Sequence, residues 1–131
     1  MSLEIYDDMI GKNFSNVINL DNKILYFQFE DDSGYVFYHN QDSCENVYIE
    51  DICGNLGDLT NHPILSAELV GGESFEPESE YGEEYIDWYF YKFSTIKGSV
   101  TIRWCGTSNG CYSTTVEFKK IENVLDINDL S

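Results

Sequence analysis

The chain has 131 residues and a mass of 15.1 kDa, and 24 acidic residues against 7 basic ones leave a formal charge of −17. That length suits one domain, 1–131, and 42% apolar residues with ten tyrosines and eight phenylalanines supply a packed core rather than a disordered chain. No stretch approaches the roughly 20 apolar residues of a membrane span, and the opening MSLEIYDD is too acidic for a secretory signal. A cytoplasmic location is expected.

In chain order, Ile5–Ile10 is read as one short helical turn. Phe14–Leu20 and Ile24–Glu30 alternate as strands joined at Asp21-Asn22, and Asp31-Asp32-Ser33-Gly34 is a turn leading into a strand over Tyr35–His39. Val47–Ile52 is a short strand and Leu56–Asn61 a helical turn ended by Pro63. Ile64–Val70 follows as a strand that Gly71-Gly72 is expected to stop, opening an acidic loop over 71–84. Tyr85–Ile96, Ser99–Cys105 and Tyr112–Phe118, rich in aromatic and β-branched residues, are the clearest strands. The expected fold is mainly β, α+β with minor helix: a single antiparallel sheet with a C-terminal three-stranded meander.

The meander admits a register. A two-residue loop at Lys97-Gly98 sets Phe93 opposite Ile102, Tyr91 opposite Trp104 and Thr95 opposite Val100. For the next connection, a longer loop over Gly106–Gly110 is preferred to a tight Asn109-Gly110 turn, because it sets Val100 opposite Val116 instead of burying Glu117. The other face then carries Lys92 directly opposite Arg103, beside Ser94, Thr101 and Ser113, with Trp88 nearby. Like charges in that position need a negative partner. The protein's own carboxylates are the favoured source. The alternative is an anion pocket in which Lys92, Arg103, Asn109 and the stacking face of Trp88 hold a ligand.

Charge is lopsided: residues 1–91 hold 20 acids and 2 bases, and residues 92–131 hold 4 acids and 5 bases. The densest run is Glu73, Glu76, Glu78, Glu80, Glu83, Glu84 and Asp87, with Glu30, Asp31 and Asp32 as a second group. Such a surface repels nucleic acid and anionic lipid and attracts basic protein surfaces. A polar cluster at His39, Asp42, Cys44 and Glu45 follows a strand but matches no metal-ligand spacing. Cys44, Cys53, Cys105 and Cys111 form no C-x-x-C pair and are expected to be reduced, with any Cys105–Cys111 oxidation incidental. Nucleotide-binding glycine loops and catalytic signatures are likewise missing from the sequence. No enzymatic activity, metal or cofactor is expected.

Two segments carry a resemblance: YHNQDSCENVYIEDICGNLGDL (38–59) and WYFYKFSTIKGSVTIRWCGTSNGCYS (88–113). They resemble an uncharacterised small-protein family, a domain of unknown function, of phages and prophages of low-GC Gram-positive bacteria. The resemblance covers about 10–118. His39, Gln41, Asp42, Cys44, Glu45, Tyr48, Glu50 and Asp51 match its first motif. Its second is matched by Trp88, Tyr91, Lys92, Thr95, Lys97, Gly98, Thr101, Arg103, Trp104, Asn109 and Gly110. The chain departs from that pattern at Ser43, where the family has cysteine, and at Cys105 and Cys111, where it has aromatic residues. The resemblance implies a mobile-element protein in a host bacterial cell, where small acidic proteins antagonise defence. Two expectations follow. One is a counter-defence inhibitor whose acidic face, Glu73–Asp87, binds a basic surface of a host nucleic-acid-binding protein. The other is a sponge for a small anionic ligand such as a nucleotide signal, built on Lys92, Arg103 and the His39–Glu45 loop. Neither binds nucleic acid or membrane directly.

Overall fold

Alternating aromatic and aliphatic residues produce two antiparallel sheets instead of the single sheet expected. In this computed structural model, residues 2–39, 46–75, 85–108 and 116–129 are described. The strands are β1 (Ser2–Ile5), β2 (Asn16–Leu20), β3 (Ile24–Gln28), β4 (Gly34–Tyr38), β5 (Asn46–Cys53), β6 (Ser66–Phe75), β7 (Tyr85–Thr95), β8 (Gly98–Ser108) and β9 (Glu117–Ile121). The larger sheet has the order β1-β6-β7-β8-β5 and the smaller one β2-β3-β4-β9. Short 3-10 turns at Asp7–Met9 and Leu56–Leu59 stand where the two helical turns are expected, and a third spans Val124–Asp129.

The sheets pack face to face through aromatic rings. Phe27 meets Phe93 at 4.9 Å between ring centroids, and Phe37 meets Tyr91 at 5.0 Å. Around them, Leu25, Tyr35, Leu69, Val100, Ile102 and Trp104 are buried in one core cluster that Phe14, Leu59 and Ile64 close at the side. Each fully buried side chain of this size contributes about 1.5–3 kcal/mol. Tyr26, Val36 and Ile121 point to the opposite face of the smaller sheet, yet they too are buried, because Ile127 of the last 3-10 turn packs over them. Thus β3 buries Leu25, Tyr26 and Phe27 in succession, without the alternation of a strand exposed on one side.

Asp21 and Asn22 sit at φ 53° and 60°, the left-handed region that short acidic and amide side chains tolerate, and this closes the β2–β3 hairpin where a turn is expected. Three other expectations are corrected. The β7–β8 loop is Ile96-Lys97, not Lys97-Gly98: Thr95 pairs with Gly98, Phe93 with Val100 and Tyr91 with Ile102. The buried Thr95 hydroxyl anchors this turn by donating to the Asp58 carbonyl and accepting from the Lys97 N–H. Gly71 does not stop β6. The strand continues through a bulge between Gly71 and Glu73, with Gly71 so close to β7 that a Cβ there would lie 2.8 Å from the Trp88 carbonyl oxygen. Finally, β9 does not extend a meander from β8. It crosses to the smaller sheet and pairs with β4, setting Phe118 opposite Phe37, while β5 takes the place beside β8.

Candidate functional site

Strand parity decides what the outer face of the larger sheet presents. Because Tyr91, Phe93, Ile102 and Trp104 face the core, Trp88, Phe90 and Lys92 of β7 and Thr101, Arg103 and Cys105 of β8 face outward. The expected register is displaced by two residues, which preserves the faces and changes the neighbours. Lys92 lies opposite Thr101 on one side and Glu68 on the other, and Arg103 lies opposite Phe90 and Asp51. The like-charge pair Lys92–Arg103 does not form.

Arg103 is satisfied from within the chain. Its Nη2 donates to Oε1 of Glu50 at 3.0 Å, and its guanidinium carbon lies 5.2 Å from the centre of the half-buried Trp88 ring. Glu50 reaches it because β5 bulges between Ile49 and Asp51, so that Glu50 is the extra residue against β8. Among the described residues Nε of Arg103 is buried without a hydrogen-bond partner. Ser94, expected beside the pair, is hydrogen-bonded through its hydroxyl to Ser66 at 2.5 Å. Cys105 is buried between Trp88 and Tyr48, and burial pushes its thiol pKa up against the opposing effect of a hydrogen bond from Tyr48.

The remaining candidates divide between the described residues and those outside them. His39 is half-buried directly after β4. Glu73 pairs in register with Trp88, and the half-buried Asp87 with Ser74 and Gly106. Asp42, Glu45, Asn109, Ser113, Glu76, Glu78, Glu80, Glu83 and Glu84 lie outside the described residues, as do Cys44 and Cys111. The strand ends that flank these segments are neighbours. Phe75 pairs with Ile86, Ile86 with Thr107 and Thr107 with Asn46. Asn46 in turn accepts a hydrogen bond from Lys23 Nζ at 2.8 Å, and the Ile49 N–H donates to the Asn22 carbonyl at 2.6 Å. The anchors of 40–45, 76–84 and 109–115 therefore gather at the β2–β3 hairpin end of the molecule.

At the other end of the smaller sheet, a groove of about 630 Å³ opens beside the β3–β4 turn, between Asn13, Phe29, Glu30, Asn61 and Lys120. Sequence reasoning missed it because its walls come from separate segments with no common motif. Among the described residues no three His, Cys, Asp or Glu side chains are grouped to hold a metal ion, and no helix is long and apolar enough to cross a membrane.

Residues 7–118 match the family model of a domain of unknown function, DUF7448. The chain belongs to the DUF7448 family. The DUF7448 match takes in β2 to β8, both outer-face residues Trp88 and Arg103, and the start of β9; β1 and the final 3-10 turn lie beyond it. No curated protein and no solved structure matches the chain.

Proposed function

We propose that this DUF7448 protein is a non-enzymatic interaction protein, encoded by a phage or prophage of a low-GC Gram-positive bacterium and acting in the host cytoplasm. It antagonises host defence by docking an acidic end onto the basic surface of a nucleic-acid-binding protein. The observation that carries this reading is the adjacency of the strand ends Phe75, Ile86, Thr107 and Asn46. Between these strand ends the sequence runs through 40–45, with Asp42 and Glu45, and 76–84, with Glu76, Glu78, Glu80, Glu83 and Glu84. With a net charge of −17 behind it, the acidic end steers a basic partner and repels nucleic acid. The rival reading, capture of a small anion by Lys92 and Arg103, draws less support, since Glu50 already occupies the Arg103 guanidinium.

The test is capture from host lysate by tagged protein, followed by measurement of the captured protein's DNA binding with and without the inhibitor. Capture is expected to fall steeply with added salt, as charges are screened over about 8 Å at physiological ionic strength. Replacing Glu76, Glu78, Glu80, Glu83 and Glu84 by Gln is expected to slow association more than it lowers stability. Unchanged inhibition by that variant overturns the reading. A released small molecule absorbing near ~260 nm, a nucleobase signature, would instead favour the sponge, in which an aromatic face such as Trp88 stacks on the base.

A further inference from the structure

The groove beside the β3–β4 turn lies apart from the acidic end and stands independently of the reading above. Its volume, about 630 Å³, falls in the range of small-molecule sites, roughly 300–1,000 Å³. Its floor is apolar. Phe29 is half-buried and stacks on the buried Phe14 with centroids 4.8 Å apart and planes 26° from parallel.

The polar groups around that floor are of two kinds. The serine hydroxyls are used within the chain: Ser15 Oγ donates to the Gln28 carbonyl at 3.1 Å, and Ser33 donates to Asp31 through both Oγ and N–H. By contrast, among the described residues the side chains of Asn13, Asn61, Glu30 and Lys120 make no hydrogen bond. Both amides stand on fixed backbone. Asn61 is left-handed at φ 62° and its N–H donates to the Phe14 carbonyl at 2.8 Å, while Asn13 forms a bridge with Pro63. A ligand entering here meets two exposed amides whose backbones are fixed and whose side-chain donors and acceptors are not used among the described residues.

The mixture of groups selects the ligand. Two amides, a carboxylate and an ammonium offer donors and acceptors together, which hydroxyl groups match because each both donates and accepts. An anion is opposed by Glu30, Asp31 and the overall charge of −17, whereas the pull of these carboxylates on a cation is offset in part by the Lys120 ammonium. The Ser33 hydrogen bonds, as the larger cause, and Lys120 together hold the Asp31 carboxyl below its usual range. A phenyl floor suits the C–H face of a saturated ring. We propose that this groove binds a neutral polyhydroxylated ring, the chemistry of a sugar.

The experiment is a ¹⁵N NMR titration of the full chain with methyl glucoside and with N-acetylglucosamine. The side-chain amides of Asn13 and Asn61 are expected to shift, with a dissociation constant of the order of 1 mM for a ligand of this size. Asn61→Gly, which suits the left-handed backbone, and Asn13→Ala are each expected to weaken binding about tenfold, the loss of one or two hydrogen bonds, with the rest of the spectrum unchanged. Binding of a neutral ring is expected to be insensitive to salt. The proposal is overturned if neither sugar shifts these amides, if the binding falls steeply with salt, or if inorganic phosphate or spermidine shifts the same amides where the sugars do not.

Discussion

Arg103 and Glu50 meet at 3.0 Å only because a bulge adds one residue to β5 and thereby turns Glu50 toward the neighbouring strand. Their side chains are 38% and 34% exposed, so the pair is screened by water, and its interaction is expected to contribute only about 0–1 kcal/mol. Stacking on Trp88 adds about 0.5–1 kcal/mol. Arg103→Ala is therefore expected to lower stability modestly. A double-mutant cycle with Glu50→Gln, read by urea denaturation, measures the coupling; a coupling of several kcal/mol would mean that the pair is shielded as a buried one is. Under the proposed function, inhibition survives this substitution.

At Gly71 the backbone of β6 runs against that of β7, and a methyl group there would lie 2.8 Å from a carbonyl oxygen that belongs to the sheet ladder. Gly71→Ala is expected to cost about 1–3 kcal/mol, the penalty of forcing an extra methyl into packed structure. Gly11, where a Cβ would meet nothing within 4 Å, is the control for steric crowding, although its φ of 82° adds backbone strain of its own. Gly71, at φ 156°, carries backbone strain as well as crowding, so the extra loss of thermal stability in Gly71→Ala over Gly11→Ala is the measure of crowding.

The two described cysteines differ in environment. Cys53 is exposed, with Sγ 3.6 Å from an Asp51 carboxylate oxygen, whereas Cys105 is buried and its thiol pKa is raised. Since the thiolate is the reacting species, a native-state alkylation course is expected to label Cys53 well before Cys105. Peptide mapping by mass spectrometry reads the order, and equal rates would show that the sheet opens at β8.

Asp31 accepts from the Ser33 hydroxyl and N–H, and these bonds, with Lys120 nearby, hold its carboxyl below the usual carboxylate range. A lowered native pKa means that the charged form is favoured in the folded state. The resulting stabilisation is present above the ordinary value of about 3.9 and is lost as pH falls through the lowered one. Ser33→Ala is expected to raise the Asp31 pKa toward its ordinary value, as followed by carboxyl NMR titration. Tyr26 has the opposite sign: burial, reinforced by Asp32, raises its pKa, so its contribution is present below about 10 and fades as pH rises through the raised value.

The faces of β7 and β8 were legible in the sequence because a two-residue error in register returns every side chain to the same side. Their partners were not. Asn109-Gly110 suggests a local hairpin, but local patterning says nothing of the gain when Phe118 docks on Phe37 at 4.9 Å and Tyr35 at 5.3 Å across the smaller sheet. Paired glycines at 71 and 72 read as a stop, since the closeness of β7 that calls for glycine is a tertiary fact. For the same reason Glu50 was not seen as the partner of Arg103: a bulge has no fixed signature, and the contact joins strands separated by β6 and β7 in the chain.

The pairing of β4 with β9 also dictates an order of assembly. The β2–β3–β4 meander precedes β5 to β8 in the chain, yet the strand that covers the β4 edge and the turn that brings Ile127 over Tyr26 and Val36 come after the whole larger sheet. Until they emerge, a nascent chain carries an unpaired strand edge and an uncovered apolar surface, both of which invite association with other chains. Closure then joins residues far apart in sequence, the kind of step that places folding in milliseconds to seconds rather than microseconds. The segment made after the larger sheet is thus what shields the β2–β3–β4 meander from its neighbours.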